Sequence, residues 1–286
     1  MNSSQPGSRE TLKLLVCLGL LALAVSLGGC GKIKSAIDSL RHPRKTAKTS
    51  PPAPPAPKPS HPAASGPRLA IILDDLGGDD SVSSVDAIFA LRYPLTLSVL
   101  PNHAHSAQIA SAAHQRGYQV MLHLPMEAAG AEKPESNELR PGMTSPEIAK
   151  ELNGMLSTVP YAAGVNNHQG SLATSDVHLM NDLMPLLRNR NLFFIDSRTA
   201  ATTVAFDTAR TDGVRSASRN VPFLDDVRDV AAIRHQLSLA FKDAKEKGEA
   251  IAIGHPHPET LRALAEMLPE AQANGIRLVH ASDVVH

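Results

Sequence analysis

The chain has 286 residues, and its 28 basic and 28 acidic residues give a formal net charge of zero. This balance hides a division, because residues 1–67 hold nine basic and two acidic residues and residues 68–286 hold 19 and 26. An acidic C-terminal region argues against a nucleic-acid partner. The two cysteines, Cys17 and Cys30, both lie near the N-terminus, so the rest of the chain has no thiol for a disulfide, a metal or nucleophilic catalysis.

Residues 1–29 have the pattern of a bacterial signal peptide. Arg9 and Lys13 precede an apolar run, residues 14–27, which is too short to span a bilayer comfortably. The run ends in Leu27-Gly-Gly-Cys30, which resembles a lipobox and implies that Cys30 is lipidated and becomes the mature N-terminus. A plain secretory signal and a single transmembrane anchor are the alternatives.

Residues 30–67 are predicted to form a disordered tether. Residues 31–50 contain six basic residues and one acidic residue, and residues 51–67 are rich in proline and alanine. Such a sequence has no apolar periodicity with which to bury a core, and it favours extended polyproline II structure. The residue after Cys30 is Gly31 and not an aspartate. With no aspartate at this position, the lipoprotein resemblance implies a periplasmic protein anchored by lipid to the outer membrane.

Residues 68–286 alternate short apolar runs with amphipathic stretches, which predicts an α/β fold with a mainly parallel sheet. Strands are predicted at residues 69–73, 95–100, 118–122, 162–165, 192–195, 250–253 and 277–280, with a weaker candidate at 221–224. Helices are predicted at residues 106–116, 177–188, 230–247 and 259–274, and another begins at the capping-box sequence Thr144-Ser-Pro-Glu147. Seven or eight units favour a nearly closed barrel, and no G-x-G-x-x-G follows the first strand to support a dinucleotide site.

Side chains capable of catalysis or metal binding follow several of these strands. They are Asp74, Asp75, His123, Glu127, Asn167, His168, Ser171, Asp196 and His255. Any one of them alone would also fit a capping or loop residue. Because the carboxyl ends of barrel strands meet at one rim, their coincidence predicts a shared polar site.

A set of two or three His and Asp ligands without cysteine is typical of a catalytic metal centre, and zinc suits it best among the divalent metals. The metal would lower the pKa of a water molecule, a carboxylate would accept its proton, and a histidine would donate one to the leaving group. Successive strand residues point in opposite directions, so Asp74 and Asp75 can share this site only if the backbone bends between them.

Five segments of the chain resemble, in order, the divergent polysaccharide deacetylase family of bacterial envelopes. They are Ile-Leu-Asp74-Asp75, His123-Leu-Pro-Met-Glu127, Asn167-His168-Gln-Gly-Ser171, Phe-Ile-Asp196-Ser-Arg198 and Gly254-His255-Pro. The resemblance implies a distorted (β/α)7–8 barrel of the carbohydrate deacetylase type over residues 68–286. It also implies that Asp74 is the general base, Asp75 and His123 are metal ligands, and His255 is the general acid.

The chain departs from this pattern at one ligand. The deacetylase motif H-x-x-x-H has a second histidine four residues after the first, where this chain has Glu127. Either Glu127 or His168 would complete the metal site, and His168 is preferred, with Asn167 expected to orient it. Ser171 and Asp196 are expected beside the site as substrate-binding or supporting residues.

The resulting expectation is a metal-dependent hydrolase that removes an acyl group from an N-acetylated envelope polysaccharide or peptidoglycan. One alternative is an inactive deacetylase-like domain that binds envelope glycan or an envelope protein. A phosphoesterase is a further alternative, but Arg198 is the main basic residue predicted at the rim to hold a phosphate.

Overall fold

The computed structural model describes residues 66–130 and 133–286. The predicted signal sequence, the lipidation site Cys30 and the tether up to residue 65 lie outside the described residues. None of the helices described is both long and apolar enough to span a bilayer.

Eight parallel strands and seven α-helices alternate along the described chain. The strands are β1 (Arg68–Leu76), β2 (Thr96–Val99), β3 (Gln119–Met126), β4 (Ala162–Gln169), β5 (Phe193–Asp196), β6 (Ser216–Ser218), β7 (Glu249–Gly254) and β8 (Arg277–Val279). The helices are α1 (Asp79–Leu91), α2 (Ser106–Gln115), α3 (Ser145–Thr158), α4 (Val177–Arg188), α5 (Ala205–Thr211), α6 (Val230–Lys247) and α7 (Pro258–Ala273).

The strands form one sheet in the order β6-β5-β4-β3-β2-β1-β7. β8 pairs with the first three residues of β1, on the edge whose later residues pair with β2. Between β6 and β7 no ladder forms, but Asn220 N–H donates to the Ile251 carbonyl (3.0 Å) and Leu224 N–H to the Ile253 carbonyl (2.8 Å). The sheet is therefore a nearly closed barrel, as the sequence predicted.

Two apolar layers follow from the alternation of side chains along each strand. In β1, Ala70 and Ile72 belong to a cluster inside the barrel, with Phe193 of β5. Leu69 and Ile71 face the opposite way, into the larger cluster beneath the helices. Both layers are almost completely excluded from solvent, which gives the strand tips a rigid support.

Polar caps define where several helices begin. The predicted capping box is present at α3, where the Glu147 carboxylate accepts from the Thr144 backbone N–H (2.8 Å) and hydroxyl (2.7 Å). At the start of α6 the Asp229 carboxylate accepts from two backbone N–H groups, those of Ala231 and Ala232. These contacts satisfy donors that the first turn of a helix leaves without partners.

The helices predicted at 106–116, 177–188, 230–247 and 259–274 are confirmed to within one residue at each end. The strand predicted at 221–224 is wrong, because those residues lie in the loop between β6 and α6. The backbone of this loop forms hydrogen bonds to β7 and so closes the gap between β6 and β7, and β6 itself comes earlier. Ser216-Ala-Ser218 has none of the β-branched or aromatic residues that signal a strand. α1 and α5 were not predicted.

Candidate metal centre and catalytic site

The interior face of the barrel changes from apolar to polar at the carboxyl ends of its strands. Two residues after Ile72 comes Asp74, and two residues after Met121 comes His123. The same alternation leads to Asn166 and His168 in β4 and to His255 just after β7. The strand period therefore brings polar side chains from four strands to one rim.

A bend in β1 brings both adjacent aspartates into this site. Asp75 has a φ of 60°, in the left-handed region, and the register of β1 against β2 shifts between Leu73 and Leu76. The bulge turns Asp75 toward the side that Asp74 already faces. Both carboxylates consequently approach His123 Nε2, at 3.7 Å from Asp74 Oδ2 and 3.1 Å from Asp75 Oδ1. The bend that the sequence required is confirmed.

Three potential ligand atoms converge at this point. Asp75 Oδ1 lies 3.1 Å from His123 Nε2 and 2.9 Å from His168 Nδ1, and the two imidazole nitrogens are 3.1 Å apart. Asp75 Oδ1 is buried and accepts no hydrogen bond, which is unusual for a buried carboxylate oxygen. Tetrahedral zinc with ligands at about 2.0–2.1 Å separates those ligands by roughly 3.3 Å. The residues thus fit a divalent metal.

The charges of the group favour an ionised Asp75. Burial alone would raise the pKa of Asp75, but the contacts from His123 and His168 hold it well below its usual range. Burial would lower the pKa of His123, and the charges of Asp74 and Asp75 raise it instead. Without a metal ion these charges favour a proton on His123, and a divalent ion would displace that proton when it binds the carboxylate and the two imidazoles, a ligand set that zinc accepts.

Asp74 is suited to accept a proton. Its side chain is almost fully buried, and both of its oxygens accept from Asn166 Nδ2, at 2.9 and 3.1 Å. Burial raises the pKa of Asp74 above its ordinary value, and His123 and His255 only partly offset this. A carboxylate with a raised pKa holds an accepted proton more strongly than an exposed one, as a general base requires.

His255 approaches the carboxylates from the end of β7, the neighbour of β1 on the edge away from β2. Its Nδ1 donates to Asp225 Oδ1 (2.9 Å), its backbone N–H donates to Asp225 Oδ2 (2.6 Å), and its Nε2 lies 3.6 Å from Asp75 Oδ2. Burial would lower the pKa of His255, but the hydrogen bond to Asp225 and the charges of Asp75 and Asp74 raise it to about 9. The imidazole is therefore protonated at neutral pH and can donate a proton.

A second group of possible ligands contains Asp225, His255 and His257. The oxygens of Asp225 already accept from the His255 ring, the His255 backbone and the Thr260 hydroxyl. This group is consequently better described as a support for His255 than as a second metal centre.

The remaining predicted residues occupy less central positions. Glu127 follows β3, and its backbone N–H donates to the Leu139 carbonyl, but it does not belong to the group of three convergent ligand atoms among the described residues. Asn167 lies on the opposite face of β4 from His168, and its amide binds the Gln169 carbonyl, the Thr199 hydroxyl and the Ser197 backbone N–H. Their predicted roles at the site stay predictions.

Ser171 and Asp196 have structural partners. The Ser171 hydroxyl accepts from the backbone N–H of Ala129. The Asp196 carboxylate is fully buried and accepts from the Arg198 backbone N–H (2.8 Å) and the Thr203 hydroxyl (2.9 Å). These bonds fix the loops around the rim, and a direct part for either residue in substrate binding stays a prediction.

Two important residues were missed by the sequence analysis. Asn166 shares the inward face of β4 with His168, which a strict count of two residues back from His168 would have shown. Asp225 lies in the same loop as residues 221–224, directly after the segment that the sequence wrongly assigned to a strand. No local pattern links Asp225 to His255, since 30 residues separate them.

Comparisons with known proteins agree with this architecture. The uncharacterized protein YibQ of Escherichia coli K12 is 39% identical over 227 residues, which cover 79% of this chain and 70% of YibQ. The crystal structure of the uncharacterized protein ATU2773 from Agrobacterium tumefaciens C58 is similar with a TM-score of 0.72 and 23% identity, over 78% of this chain and 91% of that one.

A more distant structural relative is BA3943 from Bacillus anthracis, described as a CE4 family pseudoenzyme. Its wild-type structure matches with a TM-score of 0.51 and 10% identity, over 77% of this chain and 66% of that one. This likeness concerns the fold alone. The sequence model of the family described as "Divergent polysaccharide deacetylase" matches residues 71–285, nearly all of the barrel. The chain therefore belongs to the divergent polysaccharide deacetylase family.

Proposed function

We propose that this protein is a metal-dependent hydrolase that removes acetyl groups from an N-acetylated polysaccharide of the cell envelope, with peptidoglycan as the principal candidate. The observation that carries the proposal is the convergence of Asp75 Oδ1, His123 Nε2 and His168 Nδ1 within 3.1 Å of one another. Asp74 and His255 lie beside that group with the proton affinities that a base and an acid need.

Asp75, His123 and His168 would hold the metal ion, and the carboxylate and imidazole set favours zinc. A bound divalent ion supplies Lewis acidity, which polarises an amide carbonyl and makes water more acidic. Asn166 keeps His123 turned so that Nε2 faces Asp75 and His168.

The protein's own groups supply the proton transfers. Asp74 accepts a proton from the water that attacks the acetamide carbonyl, and the new C–O bond forms as this proton leaves. When the C–N bond breaks, the departing nitrogen needs a proton, which His255 donates from Nε2 while Asp225 holds its Nδ1–H. Acetic acid, which ionises to acetate in solution, and a free amine on the sugar result. Asp74 then gives its proton to solvent and His255 regains one, so that atoms and charges balance and the protein is restored.

Acetate release tests this proposal directly. The full-length protein with Zn²⁺ should release acetate from peptidoglycan or from chitooligosaccharide, and chelation followed by Zn²⁺ should abolish and restore the release. Asp74→Asn and His255→Ala should each lower kcat by about 10²–10⁴-fold. His178→Ala, an exposed histidine on α4, serves as the matched control and should retain activity. No release from either substrate by the zinc-loaded wild type would contradict the proposal.

A binding-only role is the second candidate, because BA3943 shows that this fold occurs in a pseudoenzyme. The presence of Asp74, Asp75, His123 and His255 together favours catalysis here. Metal binding and glycan binding without acetate release would favour the second candidate.

A periplasmic location with a lipid anchor at Cys30 belongs to the same proposal. It is supported by the lipobox-like sequence before Cys30 and by the proline-rich stretch that follows it. Such a tether would let the barrel reach the polymer between the membranes.

A further inference from the structure

One fully buried amide contacts both the proposed base and a proposed metal ligand. Asn166 lies in β4, opposite His123 in the register of β3 and opposite Ile195 in that of β5. Its Nδ2 lies 2.9 and 3.1 Å from the two oxygens of Asp74, and its Oδ1 lies 2.9 Å from His123 Nδ1. The side chain is therefore a bridge between two residues on different strands.

The surroundings of Asn166 fix which way its amide points. When it is ionised, Asp74 can accept hydrogen bonds but cannot donate them, so the NH₂ group of Asn166 must face it. The second N–H of this group reaches the Ser197 hydroxyl (3.2 Å). Oδ1 then faces the Ser98 hydroxyl (2.5 Å) and His123 Nδ1. The reversed amide would place a carbonyl oxygen against a carboxylate in a buried site, at a large electrostatic cost.

This orientation determines which ring nitrogen of His123 donates to Asn166. An amide oxygen can only accept, so His123 must carry its proton on Nδ1 to satisfy the contact. Nε2 is then the ring nitrogen that faces Asp75 Oδ1 and His168 Nδ1, where a metal ion would take the place of its proton. Metal-binding imidazoles generally need such a partner on the nitrogen that does not bind metal.

We propose that Asn166 is a positioning residue for both the base and the metal ligand, and this proposal rests on the function proposed above. Its amide holds Asp74 as a hydrogen-bond acceptor and holds His123 so that Nε2 is free to bind metal. A neutral amide can serve both because it has a donor end and an acceptor end. A carboxylate at position 166 would keep the acceptor for His123 but would repel Asp74.

The two halves of the proposal are separated by two substitutions. Asn166→Asp has nearly the same shape and keeps an oxygen facing His123, so the dissociation constant for Co²⁺ should stay within about threefold of the wild type. Asn166→Leu removes both ends of the bridge and should weaken Co²⁺ binding by about 10–100-fold and alter the visible Co²⁺ spectrum. Both are measured on the full-length protein by metal competition, with thermal unfolding to verify folding.

Asn181→Asp is the matched control, because it makes the same chemical change at an exposed position of α4, outside the site. Its Co²⁺ affinity should stay within about threefold of the wild type. Wild-type affinity in folded Asn166→Leu, or equal weakening in Asn166→Asp and Asn166→Leu, would overturn the role toward His123. If Asn166→Leu does not fold, the smaller Asn166→Ser takes its place.

The role toward Asp74 is read from kinetics. Asn166→Asp should lower kcat for acetate release by about 100-fold or more with KM within threefold, because the substrate contacts remain and the base is disturbed. An unchanged kcat would overturn this half. If the wild type releases no acetate, the proposed function fails separately, and a crystal structure of the Leu or Ser variant decides instead: unchanged torsions of Asp74 and His123 would contradict the proposal.

Discussion

His168 is the residue proposed to replace the second histidine of the H-x-x-x-H motif as a metal ligand. The sequence left Glu127 and His168 as alternatives, and the structure brings His168 Nδ1 to 2.9 Å from Asp75 Oδ1. We expect His168→Ala to weaken Zn²⁺ binding by about 100-fold or more, because one of three protein ligands is lost. Glu127→Gln should remain within about threefold. Competition with a zinc-binding dye measures both, and the reverse ranking would assign the ligand to Glu127.

The pairing of His255 with Asp225 predicts the alkaline side of the pH profile. The proposed mechanism needs His255 protonated, so activity should fall as pH rises through the pKa of His255, which the protein raises to about 9. A bound cation lowers that pKa, so the fall is expected at or below this pH. Asp225→Asn removes the negative partner and should move the fall to lower pH by about one unit.

Thr260→Val is a suitable control for this measurement, because it removes a neutral donor to Asp225 and leaves the charge. Its alkaline limb should move less than that of Asp225→Asn. An unchanged limb in Asp225→Asn, measured from kcat against pH, would show that His255 is not the acid.

At the level of single residues, the sequence located the site through residue types that follow strands. It identified Asp74, Asp75, His123 and His255 because carboxylates and imidazoles after apolar runs are conspicuous. Of the adjacent asparagines it chose Asn167 and missed Asn166, because residue type alone does not show that the Asn166 amide contacts Asp74 and His123. Asp225 could not be found because its partner is distant in sequence and is reached only by tertiary folding.

Among the elements, β1 shows how an irregular strand makes a site that a regular one could not. Residues 69–73 were predicted as a strand, but pairing continues to Leu76 through the bulge at Asp75. Propensity alone would not place an aspartate at a φ of 60°. The surrounding sheet holds this conformation, and local strain of this kind tends to occur where function requires it.

The close packing of β4 against β5 depends on Gly164. A Cβ at this position would lie 2.4–2.5 Å from three carbons of the Phe193 ring. Because Phe193 is fully buried and cannot withdraw, we expect Gly164→Ala to lower the free energy of unfolding by about 1–3 kcal/mol. Urea unfolding measures this loss.

Gly154 provides the control for Gly164. It lies in α3 with nothing within 4 Å of its Cβ position, so Gly154→Ala should raise the free energy of unfolding by about 0.5–1 kcal/mol. If Gly164→Ala proved as stable as the wild type, the packing of Phe193 over β4 would have to be revised.

The helices and central strands were predictable because their periodicity is long and strong. β6 was not, since its three residues pair through the backbone and carry no apolar pattern. The misassigned residues 221–224 are apolar because they cover the gap between β6 and β7, where Val221 and Leu224 are buried. Apolar character reported burial correctly there, but it could not distinguish a strand from a closing loop.

For the whole molecule, the uneven distribution of charge suggests that residues 1–67 and residues 68–286 have different roles. We expect Cys30→Ser to move the protein from the outer-membrane fraction to the soluble periplasmic fraction, because the lipid would be lost. Cys17→Ser, in the apolar run of the signal, should leave the protein in the membrane fraction. Fractionation with mass spectrometry of the mature N-terminus tests both, and an unlipidated wild-type protein would contradict the expectation.

The loop between β6 and α6, which closes the gap between β6 and β7, supports both the barrel wall and the proposed proton donor. Leu224 seals the wall through its bond to Ile253, and the next residue, Asp225, holds both the ring and the backbone of His255. A fluctuation that separates this loop from β7 must therefore also break the contact between Asp225 and the His255 imidazole. Such an opening would disable the proposed acid, while the proposed metal ligands, which lie on β1, β3 and β4, would stay assembled.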